Sequence, residues 1–445
     1  MSIALFLKDN VKNVPPDFGK LINHIPYSFR PGLSKVYTLR TKEILTDLSL
    51  SSDEKKHNVF TRIKNLVDYS YENIPFYFEH YNKLDFHPND LTKFEDIQKI
   101  PIVNKSILNQ YSLEKRSSNI KDKYQVNTGG STGSPFSFYI QPNSMGHEWA
   151  HMHIVWQELG YKPSDFKLLF GGRSDLKEVI EYDVVRNHFA LNIYADYKIV
   201  AKKLKAILKK HTIKFLHGYP SSIYDFALFC RDQDHELLFQ LSKNLKGVFY
   251  GSEYPHQLYR DTVEEVFKVK TISWYGHTER AILAYEKHEK YRYEPFLTYG
   301  FAEGIQDEAG DYQLIGTNYY NYASPLIRYN TNDTISNPII TDGILTSFNI
   351  SKGRDGDFII DKNNKKLNLT GLIFGRHHEI FNHANFIQVK QVELGKIEIH
   401  FVSDSISVQQ ASSLFDSRNL NLDLIFIKRD VPLRTNSGKI NLLIK

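Results

Sequence analysis

Thr128-Gly129-Gly130-Ser131-Thr132-Gly133-Ser134-Pro135 is the stretch on which the reading of this chain turns. Three glycines among the first six of these residues allow positive φ and close backbone approach, and the interleaved hydroxyls add neutral donors. Such a loop can wrap main-chain N–H and side-chain O–H groups around a polyphosphate. Taken by itself it also reads as a Ser/Thr/Gly linker. It is not a Walker A loop, which needs a Lys directly after its second invariant Gly, where this chain has Ser134-Pro135 after Gly133.

The composition is that of a globular chain with a small-molecule partner. With 445 residues and 41% apolar content, it can bury a large core and is expected to form more than one domain. Its formal charge is only +5, with acidic and basic residues interspersed, which gives nucleic-acid or membrane-surface binding no support. The opening Met1-Ser2-Ile3-Ala4-Leu5-Phe6-Leu7-Lys8-Asp9 lacks a basic n-region and a full apolar h-region, and no run of about 18 apolar residues occurs. A cytoplasmic protein is therefore expected. The single cysteine, Cys230, permits no internal disulfide or thiolate metal cage, and its apolar setting predicts a buried helical residue.

Along the chain, charged helical periodicity such as Lys55 to Tyr71 predicts a helical lead-in over about residues 1–120, with Pro75 ending a helix. From the glycine loop to about residue 350, strand-like runs (Phe166 to Phe170, Lys214 to Leu216, Gly247 to Tyr250, Thr271 to Trp274) alternate with amphipathic stretches, which predicts a layered α/β domain. Val200 to His211 reads as an amphipathic helix with a solvated lysine face. Ser351-Lys352-Gly353-Arg354-Asp355-Gly356-Asp357 marks a boundary, giving domains of 1–352 and 353–445. The second has its own strands at Phe386 to Val392 and Lys396 to Val402.

Five segments, in order, resemble the motifs of the adenylate-forming enzymes that activate carboxylic acids with ATP. They are the glycine loop, Trp274-Tyr275-Gly276-His277-Thr278-Glu279, Leu326-Ile327-Arg328-Tyr329-Asn330-Thr331-Asn332-Asp333, Gly353-Arg354-Asp355-Gly356-Asp357 and Arg434-Thr435-Asn436-Ser437-Gly438-Lys439. Further segments, among them Tyr69 to Tyr77, Gly218 to Ser222, Tyr250-Gly251-Ser252-Glu253 and Asn385 to Gln391, resemble the phenylacetate–CoA ligase group. Within it the chain is most similar to the branch often found with capsule and cell-surface polysaccharide genes. The resemblance spans roughly residues 60–445. It implies a large N-terminal α/β domain and a small, mobile C-terminal α+β domain.

The resemblance also implies roles. Thr128, Gly129, Gly130, Ser131, Thr132 and Gly133 would hold the ATP phosphates. Tyr275 and Gly276 would offer adenine an aromatic platform, with Gly251, Ser252 and Glu253 on its other side. Thr278 would donate to the α-phosphate and Glu279 would ligate Mg²⁺. Asp333 would accept from the ribose hydroxyls, and Arg354 would add a ribose or phosphate contact. Lys439 would stabilise the charge that builds as a carboxylate attacks the α-phosphorus, and Arg354-Asp355-Gly356 would form the swivel. Three features depart from the family pattern: Asn332 and Gly356 replace a Gly and a hinge Asp or Lys, and Asp355-Gly356-Asp357 leads into a charged, longer-than-usual turn, Asp361-Lys362-Asn363-Asn364-Lys365-Lys366.

Each of these residues also has an ordinary structural role to set against the functional one. Tyr275 could be a core aromatic, Glu279 a solvated helix start, Asp333 a turn former and Lys439 a surface lysine. His147, His151 and His153 read as helix packing, since no acidic ligand follows in the H-E-x-x-H manner. His277, and the aromatics Tyr219, Phe249, Tyr250 and Trp274, are candidates for the wall of an acyl pocket.

The implied activity is ATP- and Mg²⁺-dependent carboxylate activation through an acyl-adenylate, with the acyl group passed to CoA, in surface-polysaccharide biosynthesis. The alternatives are a ligase that amidates or esterifies a sugar or lipid-linked precursor, an adenylyltransferase of the coenzyme F390 synthetase type, and a non-catalytic nucleotide-binding partner of a polysaccharide-assembly complex.

Overall fold

In the sequence Gly247-Val248-Phe249-Tyr250 every residue is buried, as expected of a strand covered on both faces. Val248 and Tyr250 join one apolar cluster and Phe249 another, because successive side chains of a strand point to opposite faces. That strand sits inside the largest sheet of the computed structural model. The structure describes residues 15–22, 25–30, 33–128, 136–173, 176–350, 358–374, 376, 378–433 and 442–444.

The strands, numbered along the chain, begin with a hairpin: β1 (Tyr124–Thr128) pairs antiparallel with β2 (Phe136–Ile140), with Thr128 opposite Phe136. Residues 129–135 lie between those paired ends. An eight-stranded sheet follows, built from β3 (Phe166–Gly171), β4 (Ile180–Asp183), β5 (His188–Asn192), β6 (Ile213–Gly218), β7 (Gly247–Tyr250), β8 (Lys270–Gly276), β9 (Leu283–Tyr285) and β10 (Glu294–Pro295). Its order is β10-β9-β8-β7-β6-β3-β5-β4. The central strands β5, β3, β6, β7 and β8 are parallel, and the edges are antiparallel.

Helices cover both faces of this sheet. Tyr197–Leu208, Pro220–Gln233, His235–Ser242 and Gln257–Phe267 supply Val200, Leu204, Phe226, Leu237 and Val263 to one cluster, against Leu168, Leu216 and Val248 of the strands. On the opposite face, helix Ser144–Gln157 brings Met152, Val155 and Trp156 against Phe215, Phe249 and Ile272. Cys230 is buried in helix Pro220–Gln233 as expected, and burial pushes its thiol above the ordinary range. A deep ion pair ties helix to sheet: Arg260 Nη2 donates to both Glu286 carboxylate oxygens at 2.8 Å, and Ser273 N donates to the same carboxylate.

The expected strand–helix alternation stops at Phe267. From Gly300 the chain instead forms an antiparallel meander of β11 (Gly300–Gln306), β12 (Tyr312–Asn318), β13 (Tyr329–Thr341) and β14 (Ile344–Ile350). The connections are too short for crossover helices: Asp307 to Asp311 and Asp342-Gly343 close two of its turns. In the N-terminal region, helix Ser52–Asn73 opens with a capping box at Ser51 and Glu54, and Pro75 begins the next helix, Pro75–Lys83.

The last ninety residues build separate small sheets. β15 (Phe358–Ile360) pairs with β16 (Lys366–Asn368), and β17 (Phe386–Glu393) pairs antiparallel with β18 (Lys396–Val402). Helix Val408–Leu414 then crosses to β19 (Asp423–Arg429), which runs parallel to β18. A cluster including Ile359, Leu372, Ile387, Ile399 and Phe401 forms their core. Lys365 Nζ reaches back to the Ile193 and Ala195 carbonyls at 2.7 and 2.9 Å. Among the described residues, no helix is long and apolar enough to cross a membrane.

Gly218, the last residue of β6, has φ +144°, and a Cβ there would run into the Phe170 carbonyl. Gly218→Ala should therefore lower the unfolding free energy by about 2–4 kcal/mol in urea denaturation, from backbone strain and overpacking together.

Candidate functional site

The carboxyl ends of parallel strands are where an open α/β sheet leaves a crevice for ligands. Here β7 runs into Gly251-Ser252-Glu253 and β8 ends in Tyr275-Gly276. Gly251 lies against the Trp274 indole so closely that a Cβ would collide with it, and its N–H donates to the Gly218 carbonyl at 3.2 Å. Ser252 takes the left-handed conformation at φ +67° and is exposed, whereas Glu253 is buried and accepts from Ser221 N at 3.3 Å.

Tyr275 and Asp333, 58 residues apart in sequence, meet here: the tyrosine hydroxyl donates to Asp333 Oδ2 at 2.7 Å. Burial first, and then the Asp333 carboxylate, hold the Tyr275 hydroxyl protonated far above its ordinary range. Asp333 is aimed by a local turn, in which its N–H donates to Thr331 Oγ1 at 3.1 Å and Asn332 N donates to Asn330 Oδ1 at 2.8 Å. Asn332 has φ +60°. It stands where the family pattern has glycine, and asparagine is the side chain that tolerates this region best. Arg328, earlier in the same segment, is structural: it is bidentate to Glu303 at 3.0 Å and donates to the Gln98 and Ile100 carbonyls.

Beyond β8 the chain turns through His277, Thr278 and Glu279. Thr278 and Gly276 are exposed, while Glu279 is only 5% exposed, so a solvated helix start does not describe it. Its Oε1 faces Lys105 Nζ at 3.2 Å and accepts from the Tyr329 hydroxyl at 3.2 Å, and its Oε2 faces His277 Nδ1 at 3.2 Å. Burial alone would raise the Glu279 carboxyl, but the Lys105 ammonium and then His277 outweigh it and hold the group well below the usual carboxylate range.

Lys105 is a site residue that the sequence reading did not single out. It opens helix Lys105–Leu108, capped by Asn104 Oδ1, which accepts from Ile107 N at 2.9 Å. A bridge between Val103 and Tyr329 carries that segment alongside β13: Val103 N donates to the Arg328 carbonyl and Asn330 N to the Val103 carbonyl. The one sequence signal was Asn104 as an N-cap, which places the lysine at a helix start but not its partner.

Other expectations fall differently. Thr128 ends β1 with a buried hydroxyl that has no hydrogen-bond partner among the described residues. Gly129, Gly130, Ser131, Thr132, Gly133, Arg354 and Lys439 lie outside the described residues. The flanks of the Lys439 segment are anchored side by side on β17: Leu433 exchanges hydrogen bonds with the Gln388 side chain, and Leu442 accepts from Val389 N at 2.7 Å.

Three of the four aromatics expected at an acyl pocket, Tyr219, Phe249 and Tyr250, are buried members of the core clusters. Phe249 stacks against Phe215 at 4.9 Å and Trp156 at 5.3 Å, and Tyr250 faces the helices, because β7 is covered on both sides. His151 bonds the His147 carbonyl and Thr298 Oγ1, and His153 bonds the Tyr37 hydroxyl, which is the expected packing role.

The residues fit a nucleotide and a magnesium ion in kind. An aromatic face adjoins a carboxylate, the buried Thr128 hydroxyl and His277 Nε2 have no partner among the described residues, and Glu279 is held ionised. Among the described residues, no group of three or more His, Cys, Asp or Glu side chains is placed to hold a metal ion. A Mg²⁺ delivered with ATP needs only one or two protein carboxylates, the phosphates and water supplying the rest.

The Lys105–Glu279 pair makes a pH-dependent contribution to stability. Glu279 is depressed below its ordinary value of 4.5, so the contribution is complete above that value and is lost as pH falls through the depressed native one. Lys105→Met should thus cost about 1–3 kcal/mol at about pH 7 and less at about pH 3, as followed by urea melts. Equal losses at both would contradict this account of the pair.

Comparison with known proteins places this geometry in context. No family model matches the chain. It is 26% identical over 282 residues to Protein CapK of Staphylococcus aureus, which covers 62% of this chain and 61% of that protein. The chain thus spans about three fifths of the length of that curated relative. Among solved structures, it is similar to 2-hydroxyisobutyryl-CoA ligase in complex with 2-HIB-AMP and CoA in the thioesterification state, with a TM-score of 0.57, 16% identity, and coverage of 89% of this chain and 90% of the other. The same ligase in its postadenylation state gives a TM-score of 0.53 at 14% identity, with the same coverage. The chain therefore has the mixed α/β fold of that CoA ligase.

Proposed function

We propose that this chain activates a carboxylic acid with ATP, forming an acyl-adenylate and releasing pyrophosphate, and then passes the acyl group to an acceptor thiol, that of CoA. The observation that carries this reading is the Tyr275–Asp333 hydrogen bond of 2.7 Å at the end of β8, with the ionised Glu279 four residues further along the chain from Tyr275. It supports the reading because an aromatic face adjoins a carboxylate suited to ribose hydroxyls, and an ionised carboxylate suited to a metal ion follows in the chain.

In this reading adenine lies on Tyr275, bounded on its other side by Gly251, Ser252 and Glu253. Gly251 leaves the room that Trp274 would deny any larger residue. Asp333 accepts from the ribose hydroxyls, Thr278 donates to the α-phosphate, and residues 128–133 take the phosphates. Glu279 serves as the carboxylate for a magnesium ion, whose chemistry is to neutralise the phosphate oxygens. Lys105, already beside Glu279, adds a second positive charge at the same place.

A carboxylate oxygen of the acid attacks the α-phosphorus while the bond to the β-phosphate oxygen breaks and pyrophosphate leaves. Lys439 stabilises the charge that builds on the nonbridging oxygens. In the second step the thiol sulfur attacks the acyl carbon, and AMP leaves with the electrons of the broken C–O bond. We assign the large domain to residues 1–352 and the small one to 353–445, with Arg354-Asp355-Gly356 as the swivel that exchanges the adenylation face for the acceptor face. The resemblance to the branch found with capsule genes extends the proposal to an acid used in building or modifying a surface polysaccharide.

Pyrophosphate release from ATP and Mg²⁺ across aryl, fatty and sugar-derived acids, with and without CoA, tests this. Release should depend on the acid and fall on the order of a hundredfold to a thousandfold in Lys439→Ala, with ATP binding little changed. Thioester and AMP appearing only with CoA identify the acceptor, whereas an acylated sugar or an AMP adduct redirects it. Unaltered turnover in the variant rejects the mechanism.

A further inference from the structure

A small cavity of about 20 Å³ opens beside Glu279, between the helix Ser144–Gln157 and the end of β12 with the segment after it. It is lined by Glu279, Arg280, His147, Asn318, Tyr320 and Asn321, among others. Its size suits a group on the order of one hydroxyl or water.

Three side-chain atoms of its lining residues are buried and have no hydrogen-bond partner among the described residues: Asn318 Nδ2, Asn321 Oδ1 and His147 Nδ1. Their residues are 3%, 7% and 5% exposed, too little for solvent to compensate them. The amide orientations follow from the other bonds. Asn318 Oδ1 accepts from Leu326 N at 3.3 Å, and Asn321 Nδ2 donates to the Tyr139 and Ser324 carbonyls at 2.8 and 3.0 Å. The residues that line the cavity thus carry one unpaired amide donor and one unpaired amide acceptor, together with an unpaired imidazole nitrogen whose ring is fixed by a 3.3 Å contact of Nε2 to the Tyr299 carbonyl. Burial holds that imidazole neutral.

A hydrocarbon group placed here would leave all three atoms unpaired, whereas a hydroxyl donates and accepts at once. A second carboxylate is a poor match, because Arg280 is already engaged by Ser144 Oγ at 2.9 Å and by Glu148 at 3.7 Å.

We propose that this cavity is the distal end of the acyl site and that the acid activated here carries neutral hydroxyl groups on its carbon chain, as sugar-derived acids do, rather than an aryl or alkyl chain. The proposal rests on the adenylation reading above.

Glycerate and glucuronate, compared with 2-methylbutyrate and cyclohexanecarboxylate, test it in the wild-type chain by kcat/KM for pyrophosphate release and by calorimetric Kd in the presence of AMP. The hydroxylated acids should be favoured on the order of ten- to a hundredfold or more. Asn318→Leu and Asn321→Leu should erode that ratio, lowering the hydroxylated acids while sparing the hydrocarbon ones. Hydrocarbon acids that match or exceed the hydroxylated ones in the wild type overturn the polar acyl site and leave adenylation standing. So does a ratio unchanged in both asparagine variants. No release with any acid, although ATP binds, overturns the adenylation reading and this inference with it.

Discussion

A carboxylate removed from water must be given its counter-charges by the protein, and Glu279 is the place where this chain meets that demand. Its charge is shared among an ammonium from the N-terminal helical region, an imidazole two residues earlier and a phenol from β13. Removing any of them would leave part of a buried charge uncompensated. The bridge of Val103 to Tyr329 is what brings the ammonium and the phenol to the same carboxylate. Three distant segments are therefore held in register by one group, which also lines the polar cavity.

The parallel sheet supplies the other half of the arrangement. Because β6, β7 and β8 end together, the loops that follow them share one edge, and glycines at 218 and 251 let backbone and indole approach there without a side chain between. The antiparallel meander then delivers Asp333 from β13 to Tyr275. The small C-terminal sheets complete the chain, with both flanks of the Lys439 segment fastened to β17.

Much of this was legible in the sequence where the signal is local. Continuous β-branched and aromatic runs located β3, β6, β7 and β8 to within two or three residues, and Pro75 marked a helix boundary. Tyr275, Glu279 and Asp333 were readable as motif residues, though their meeting at 2.7 Å in the case of Tyr275 and Asp333 was not. What escaped was set by tertiary pairing. Lys105 carries no motif, and its partner lies 174 residues away. Asn318 and Asn321 look like ordinary polar turn residues until burial removes their water. Phe249 and Tyr250 look like pocket aromatics until both faces of β7 are seen to be covered. Asn332 shows the converse, a departure from pattern at a position whose backbone is left-handed, a conformation asparagine tolerates.

The most direct measurement follows oxygen. With ATP and an acid that supports pyrophosphate release, labelled with ¹⁸O in its carboxylate, transfer to an acceptor should leave one labelled oxygen in the AMP, since the acid's own oxygen becomes bonded to the α-phosphorus and departs with it. AMP free of label, or label found in phosphate or pyrophosphate, would contradict an acyl-adenylate and with it the account of this site.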